Sequence, residues 1–330
     1  MYKDFSHIYI EKGVLHHPYC KNIIDKFPKS NLIEIDDYSD FFNRSRQDWR
    51  LQKTATKLII AAKKSDFLYT GSPMTPSFEH VNFYYNTLAM NCIYDCHYCY
   101  LQGMYPSANM VFFVNIEDYF RETDRVLRDK GKIYLSISYD TDLLALENIL
   151  PYSKQWIEFA RQRKNLTIEL RTKSANYKAI QNTDAVENVI LAWTLSPQTI
   201  INLYEKKTPS LKARLKSISC AVRDGWNVRL CFDPMLILDN WKTLYAELFE
   251  EVFSMQESSE IQDVSIGTFR MNSEYFKTLK SMRSDSDLLH FPYAIKNKNA
   301  GYSGQDKQSL LSFAREALSK YLPADKIFQI

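Results

Sequence analysis

The sequence predicts an α/β fold built from repeated strand–helix units. Apolar, β-branched runs of strand length alternate along the chain with segments of helical spacing. Such alternation is typical of a mostly parallel sheet, which binds ligands at the carboxyl ends of its strands. Roughly six such strands suit a partial barrel as well as an open doubly wound sheet.

Residues 43–64 are rich in Arg, Lys and Gln and have helical spacing, and the alternation of strands and helices begins at residue 81. The six strands counted above are predicted at 81–90, 132–138, 166–173, 187–195, 227–235 and 263–269, and 110–115 is a further candidate strand. Helices are predicted at 116–130, 152–163, 208–223, 240–253, 273–282 and 306–321. Gly131 marks the end of the first helix, and Thr208 with Pro209 is a suitable start for the third. A proline-marked loop is predicted at 72–77.

Three segments are expected along the chain. Residues 1–80 form an N-terminal extension packed on the barrel, residues 81–285 the partial barrel, and residues 286–330 a C-terminal hairpin and helix. The length of 330 residues and the hydrophobic content of 45% allow one large core with extensions. A net charge of +3 is too weak, taken alone, to indicate a nucleic-acid partner.

The location of the protein is expected to be cytoplasmic. The first residues show no signal-peptide pattern, and no stretch approaches the roughly 18 apolar residues that span a bilayer. Six cysteines, three of them within eight residues, do not form the pattern of a disulfide framework. They indicate metal ligation in a reducing compartment, with no membrane partner.

Those three clustered cysteines are Cys92, Cys96 and Cys99, just past the first predicted strand. Thiolates hold iron–sulfur clusters, and three thiolates on four irons leave one iron without a protein ligand. An open position is what a catalytic metal needs. S-adenosylmethionine (AdoMet) can fill it with its amino and carboxylate groups and carry the radical chemistry. The motif therefore predicts a [4Fe–4S] cluster and AdoMet as cofactors.

Zinc is the alternative metal for this motif. His97 would have to serve as the fourth ligand beside Cys92, Cys96 and Cys99. However, His97 adjoins one of the cysteines, and structural zinc sites normally consist of two separated ligand pairs. The spacing therefore favours the cluster, and free core cysteines at this density are less expected still.

The cluster motif resembles that of the radical S-adenosylmethionine superfamily. In particular, the text from Cys96 to Gln102 (CHYCYLQ) is similar to the spore photoproduct lyase family, as are residues 7–23, Val114-Asn115 and Lys173. The resemblance implies a partial (β/α)6 barrel with N- and C-terminal extensions. It also implies repair of a thymine–thymine adduct in DNA, in which a 5′-deoxyadenosyl radical takes a hydrogen atom and a cysteine later returns one.

The resemblance implies roles for individual residues near the cofactors. Tyr98 and Tyr100 match two tyrosines that relay the radical back to AdoMet, although packing around the cluster is an alternative role. The backbone of Tyr98 is expected to contact the adenine. Ser138, Lys173 and Thr194 match AdoMet contacts, and Lys173 suits the carboxylate or ribose by charge-assisted hydrogen bonding.

The family's substrate end is matched less fully. Arg270 corresponds to an arginine at that end, and Lys296 and Lys298 stand where the family has a basic hairpin. Residues 299–301 (Asn-Ala-Gly) are expected to form the turn of this hairpin. An ordinary surface loop is the alternative for all three charged residues.

The sequence departs from the family at the hydrogen-donor cysteine, where it has Ser136. A serine O–H bond is much stronger than a thiol S–H bond, so Ser136 is a poor hydrogen-atom donor. Three explanations stay open. The chain can be a true lyase into which a cysteine-to-serine exchange was engineered, which is the smallest change. Another thiol can donate the hydrogen atom, Cys231 being the best placed, or the chain can be a relative with different chemistry. Cys231 is also suited to core packing, and Cys20 and Cys220 are expected to be structural.

The favoured function is a radical AdoMet lyase that repairs thymine photoproducts in DNA. A radical AdoMet enzyme of the same scaffold acting on a small molecule or nucleotide is the second hypothesis. A non-catalytic iron–sulfur protein is the third. The expected partners are DNA that contains the photoproduct and an electron donor such as flavodoxin or ferredoxin.

Overall fold

The computed structural model describes residues 5–71 and 77–330, so most of the predicted loop at 72–77 lies outside the described residues. The strands are β1 His7–Glu11, β2 Asn31–Ile35, β3 Leu58–Ala61, β4 Tyr69–Thr70, β5 Phe83–Tyr85, β6 Ala89–Met90, β7 Asp95–Cys96, β8 Met110–Phe113, β9 Ile133–Ser136, β10 Leu166–Thr172, β11 Val189–Thr194, β12 Glu205–Lys206, β13 Asn227–Met235, β14 Ile261–Thr268, β15 Arg270–Asn272, β16 Ala294–Lys296, β17 Asn299–Gly301 and β18 Ile327–Gln329.

The helices alternate with these strands over much of the chain. They are α1 Pro18–Ile24, α2 Tyr38–Phe42, α3 Trp49–Thr54, α4 Leu101–Met104, α5 Ile116–Lys130, α6 Leu143–Leu146, α7 Tyr152–Arg161, α8 Gln198–Tyr204, α9 Leu211–Arg223, α10 Trp241–Met255, α11 Ser273–Met282 and α12 Gly304–Leu318. Within the described residues, none of these helices has the length and apolar character needed to cross a membrane.

The larger sheet forms the predicted partial barrel. Its eight strands lie in the order β18-β14-β13-β11-β10-β9-β5-β4. Neighbours are parallel except for the antiparallel pair β4 and β5. From β5 to β14 the strands follow chain order, and helices such as α7, α9 and α10 connect them. The carboxyl ends of these strands therefore meet at one edge, as strand–helix alternation predicts.

A smaller sheet of five strands, in the order β2-β1-β3-β8-β6, is built mainly from the N-terminal residues. Its strands β6 and β8 come from the segment assigned above to the barrel, and they pair antiparallel. The division of the chain at residues 80 and 285 stays a prediction.

The single strand predicted at 81–90 is wrong, because the chain changes sheets within it. Strand β5 pairs with β9 in the larger sheet, whereas β6 pairs with β8 in the smaller one. Between them lie Asn86 and Thr87, both buried and polar. Asn86 Oδ1 accepts a hydrogen bond from the backbone N–H of Ser138 at 2.7 Å, and Thr87 Oγ1 donates to Asp140 at 2.7 Å. Distant partners therefore hold the crossing, which residue alternation cannot reveal.

Charged side chains close the amino-terminal part of the barrel interior. The buried guanidinium of Arg229 donates to Glu169 at 2.7 Å, to the Tyr134 hydroxyl at 2.7 Å and to Asp263 at 2.8 Å. The ring of Phe78 lies 3.4 Å from the same guanidinium. Because every charge in this group is paired, burying it is tolerable.

The C-terminal hairpin consists of β16 and β17, and β17 also pairs with β15. The predicted turn at residues 299–301 is wrong, since those residues form strand β17. The turn is made by Asn297 and Lys298, whose φ angles are 50° and 61°. A two-residue hairpin turn whose twist matches the strands requires positive φ at both positions, which asparagine tolerates well.

Candidate functional site

The cysteine loop leaves β6 and returns in β8, so it follows a strand of the smaller sheet instead of the first barrel strand. A short antiparallel pair holds it against the barrel, with Cys96 opposite Glu205 in β12. The backbone N–H of His97 donates to the carbonyl of Tyr204 at 2.7 Å. Gln102 donates to the carbonyl of Cys96 at 2.6 Å. These bonds fix the loop at the carboxyl edge of the larger sheet.

Two lysines, the buried Lys53 and the partly buried Lys173, flank the three cysteines. Lys53, from α3, donates a hydrogen bond to the carbonyl of Cys92, and Lys173, just past β10, lies 3.7 Å from the sulfur of Cys96. Burial raises the pKa of the Cys92 and Cys96 thiols to about 12. Ammonium groups beside the thiols offset the charge of bound thiolates, so this surrounding suits an anionic iron–sulfur cluster.

The described residues contain no group of three or more His, Cys, Asp or Glu side chains arranged as the ligands of a single metal ion. Three thiolates that each bind a different iron of a cluster need not converge on one point. Cys96 is buried, and Cys92 and Cys99 are partly exposed on the same loop. The three residues that would hold the cluster are therefore brought together by one short segment of chain.

A buried hydrogen-bonded network joins the cysteine loop to two barrel strands. The Tyr98 hydroxyl donates to Glu205 and accepts a bond from Lys173 Nζ at 2.6 Å. Lys173 Nζ is 3.1 Å from Glu205 Oε1, and Arg214 Nη2 is 2.5 Å from Glu205 Oε2. Arg214 also donates to the carbonyl of Thr194 at 3.0 Å. The network thus links the end of β10, the end of β11 and the cysteine loop.

Electrostatics keep this network charged. Burial raises the pKa of Glu205, but Lys173 and Arg214 outweigh that effect and lower it to about 2. Burial lowers the pKa of Lys173, but Cys96 and Glu205 outweigh it and leave that pKa above its ordinary value. One carboxylate and two cations leave one net positive charge beside Cys96, where a cluster and the carboxylate of AdoMet would need it.

The three side chains expected to contact AdoMet lie at the same edge. Ser138 follows β9 with a φ of 57°, and its buried hydroxyl oxygen has no hydrogen-bond partner among the described residues. Lys173 directly follows β10 and Thr194 is the last residue of β11. The residues before them, Thr172 and Trp193, are register partners, so Lys173 and Thr194 lie side by side at the strand ends. An unsatisfied buried hydroxyl costs free energy unless a ligand completes it. Ser138, Lys173 and Thr194 therefore fit a polar ligand bound across the strand ends.

The two predicted relay tyrosines point into different networks. Whereas Tyr98 contacts Glu205 and Lys173, the Tyr100 hydroxyl donates to Asp140 Oδ1 at 2.9 Å. Tyr105 donates to the other oxygen of Asp140 at 2.8 Å. The two hydroxyls are therefore held by separate carboxylates, Glu205 and Asp140.

Ser136 and Cys231 lie on different barrel strands. Ser136 is buried at the end of β9, where Tyr85 is its register partner. Cys231 is buried in β13 between Thr194 and Ser265 of the adjoining strands, and burial raises the pKa of its thiol to about 11. Strands β10 and β11 separate the two residues in the sheet.

The residues expected at the substrate end divide into two places. Arg270, in β15, donates to Asp233 at 2.8 Å, beside the carboxyl end of β13. Lys296 and Lys298 are exposed at the tip of the C-terminal hairpin. Because β15 pairs with β17, the hairpin is anchored next to Arg270, but its two lysines do not join the group around the cysteines.

Lys53, Glu205 and Arg214 belong to the site but were not predicted from the sequence. Lys53 lies in a charged helical segment, Glu205 in a strand of two residues, and Arg214 on a helix with other basic residues. Each has the local pattern of a solvated surface residue. Their burial depends on partners distant in the chain, which no local pattern indicates.

Curated proteins with detectable similarity are spore photoproduct lyases. The protein from Geobacillus sp. (strain Y412MC61) is 22% identical over 266 residues, covering 78% of this chain and 76% of that protein. The protein from Bacillus subtilis (strain 168) is 22% identical over 256 residues, covering 74% and 72%. At this identity Ser136 is one difference among many.

Solved structures share the fold. A spore photoproduct lyase complexed with dinucleoside spore photoproduct matches with a TM-score of 0.83, 18% identity and 99% of both chains covered. A cysteine-to-alanine mutant of spore photoproduct lyase matches with a TM-score of 0.84 at the same identity and coverage. The predicted partial barrel with its extensions is therefore confirmed.

The family model described as "Spore photoproduct lyase" matches residues 4–286, most of the chain. This match confirms the resemblance drawn from the cysteine motif. It also confirms the predicted class of enzyme, a radical AdoMet lyase, and its two cofactors, the cluster and AdoMet. The chain belongs to the spore photoproduct lyase family.

Proposed function

We propose that this protein repairs the spore photoproduct, a thymine–thymine adduct, in DNA. Cys92, Cys96 and Cys99 would hold the [4Fe–4S] cluster. The observation that carries the proposal is the meeting of this cysteine loop with Lys173 and the unsatisfied Ser138 hydroxyl at the carboxyl edge of the barrel. Few other ligands would use three thiolates and a neighbouring cationic, hydroxyl-lined edge together.

AdoMet would bind across the strand ends through Ser138, Lys173, Thr194 and the backbone of Tyr98. When bound, the cluster and AdoMet supply a 5′-deoxyadenosyl radical that takes a hydrogen atom from the adduct. Lys173 orients an anionic group of the ligand, and Glu205 holds that ammonium in place from the other side. Tyr98 and Tyr100 would serve in the return of the radical, their hydroxyl protons held near Glu205 and Asp140.

The substrate would enter from the side of the C-terminal hairpin. A lesion inside a duplex must be turned out of the base stack before any side chain can reach it. Arg270, oriented by Asp233, would contact the lesion end, and exposed Lys296 and Lys298 would contact phosphates. A small electron-transfer protein such as flavodoxin or ferredoxin would supply the electrons.

A second candidate function is the same radical chemistry on a small molecule or nucleotide. The observation that favours it is the weak basic character of the chain, with a net charge of +3 and two lysines at the hairpin tip. Duplex DNA binding normally draws on many more cationic contacts. The absence of a thiol at position 136 also favours a substrate other than the spore photoproduct.

The test is anoxic reconstitution with iron and sulfide, followed by addition of AdoMet and a reductant. Either enzymatic function yields 5′-deoxyadenosine, and Cys99→Ala should abolish it, whereas Cys220→Ala, outside the motif, serves as the control. Adding dinucleoside spore photoproduct should yield thymidylyl-thymidine. Nucleoside formation without repaired dinucleotide supports the second candidate, and no nucleoside formation refutes both.

A further inference from the structure

We infer that Tyr139 supplies the returned hydrogen atom in place of the thiol that position 136 lacks. This inference rests on the proposed function and deepens it, because it names the donor for the last step of repair. Four observations support it: the position of the Tyr139 ring, the freedom of its hydroxyl, the strength of a phenolic O–H bond and the contact with Tyr100.

The position of Tyr139 follows from the turn at the end of β9. Ser138 adopts a φ of 57°, a left-handed conformation that breaks the alternation of the strand. The Tyr139 ring then lies 5.2 Å from the ring of Tyr85. Tyr85 is the register partner of Ser136, so their side chains share one face of the sheet. The phenol of Tyr139 therefore reaches the part of the barrel mouth that Ser136 also faces.

The Tyr139 hydroxyl is available to a ligand. The backbone N–H of Tyr139 donates to the carbonyl of Asn86, and the backbone carbonyl of Tyr139 accepts from the Tyr100 hydroxyl at 3.1 Å. No described residue forms a hydrogen bond with its side-chain hydroxyl. Burial raises the pKa of Tyr139, against the opposing effect of Arg171 and Arg270, so the group keeps its hydrogen at neutral pH.

Bond strengths decide between the hydroxyl groups at this place. A phenolic O–H bond is comparable in strength to a thiol S–H bond, because the phenoxyl radical is delocalised over the ring. The serine O–H bond lacks that stabilisation. In the proposed step the thymine carbon radical left by adduct cleavage takes a hydrogen atom from Tyr139. The O–H bond breaks, a C–H bond forms, and Tyr139 becomes a neutral phenoxyl radical.

Tyr100 completes the cycle. Its ring centre lies 6.2 Å from that of Tyr139, and its hydroxyl donates to Asp140. An electron can pass from Tyr100 to the phenoxyl radical, which takes one proton from water, while Asp140 holds the proton that Tyr100 releases. Tyr100 then holds the radical, which it passes on to Tyr98 in the return proposed above, taking its own proton back from Asp140, so this step needs no outside electron. Electrons and protons therefore balance.

The test compares repair of dinucleoside spore photoproduct in deuterium oxide by wild type, Tyr139→Phe, Ser136→Cys/Tyr139→Phe and Tyr84→Phe. Wild type should place one deuterium in the repaired thymine methyl group, because the phenol exchanges with solvent. Tyr139→Phe removes only an unbonded hydroxyl, so it should fold and bind the dinucleoside normally. It should still form 5′-deoxyadenosine, yet lose labelled product and accumulate reductant adducts. The double variant should regain the label through its new thiol.

Tyr84 is the matched control, since it precedes Tyr85 in β5 and faces the opposite side of the sheet. Tyr84→Phe should retain wild-type labelling. Unchanged rate and label in Tyr139→Phe would overturn the inference while leaving the proposed function intact. A wild-type protein that forms 5′-deoxyadenosine but no thymidylyl-thymidine would refute the proposed function, and the inference with it.

Discussion

Glu205 is the register partner of Cys96 in the short ladder of β7 and β12. A fully buried carboxylate is thus built beside a residue that would bind the cluster. Such a charge is costly unless it is paired, and Lys173 and Arg214 supply the pairing. The relationship makes Glu205 a positioning residue for both Lys173 and the cysteine loop.

Replacing Glu205 with glutamine should raise the midpoint potential of the reconstituted cluster. The change removes a negative charge near Cys96 and leaves the cations of Lys173 and Arg214, which favours the reduced cluster. We expect the reduced cluster to be stabilised by about 1–2 kcal/mol, which raises the midpoint potential by roughly 40–90 mV for one electron. A redox titration followed by electron paramagnetic resonance measures it. Exposed Glu187→Gln is the control, and an unchanged or lower potential in Glu205→Gln contradicts the prediction.

Ser138→Ala should weaken AdoMet binding. The buried hydroxyl has no partner in the described chain, so a ligand that completes it gains about 1 kcal/mol, or roughly fivefold in Kd. Equilibrium binding of AdoMet to reconstituted protein measures this change. Ser281→Ala, on the exposed face of α11, should bind as the wild type does. Equal affinity of both variants would remove Ser138 from the AdoMet site.

Replacing Lys296 and Lys298 together with alanine should reduce the salt dependence of DNA binding. Each phosphate contact adds about 0.9 to the slope of log K against log salt on duplex DNA, so two contacts should lower it by about 1.8. Filter binding or anisotropy at several salt concentrations gives the slope. A Lys307→Ala/Lys320→Ala protein carries the same charge change on the C-terminal segment away from the hairpin. Equal slopes in the two double variants would show that the hairpin lysines do not contact DNA.

Glu169→Gln should destabilise the fold in a pH-dependent manner. Burial raises the pKa of Glu169, but Arg171 and Arg229 outweigh it, so the pKa falls below its ordinary value of 4.5. A carboxyl group of this kind stabilises the fold above pH 4.5, and the stabilisation is lost as the pH falls through the lowered folded-state pKa. We expect the free energy of unfolding to fall by about 3–5 kcal/mol near pH 7, because the change leaves the buried guanidinium of Arg229 without one of its paired charges.

Urea unfolding of wild type and Glu169→Gln at pH 7 and at pH 3 measures this difference. The gap in free energy of unfolding should be large at pH 7 and smaller at pH 3. Glu316→Gln, on the exposed side of α12, is the control and should match the wild type at both pH values. A gap that is equal at both pH values would mean that the charge of Glu169 does not stabilise the barrel.

The sequence by itself determined the family and the fold class, and it predicted the three cysteines that would hold the cluster. These depend on local patterns: apolar runs of strand length mark the barrel strands, and helix 273–282 has the predicted bounds. The spacing of Cys92, Cys96 and Cys99 likewise places three thiols on one loop without help from distant residues.

Only the tertiary structure decided which strand precedes the motif and which charges surround it. Residues 81–90 divide between two sheets because Asn86 and Thr87 bond to residues more than fifty positions away. Glu205, Arg214 and Lys53 have the local pattern of surface residues, yet they are buried. Local periodicity encodes local conformation, whereas a desolvated charge is stable only where folding brings its partner, so sequence patterns could not locate them.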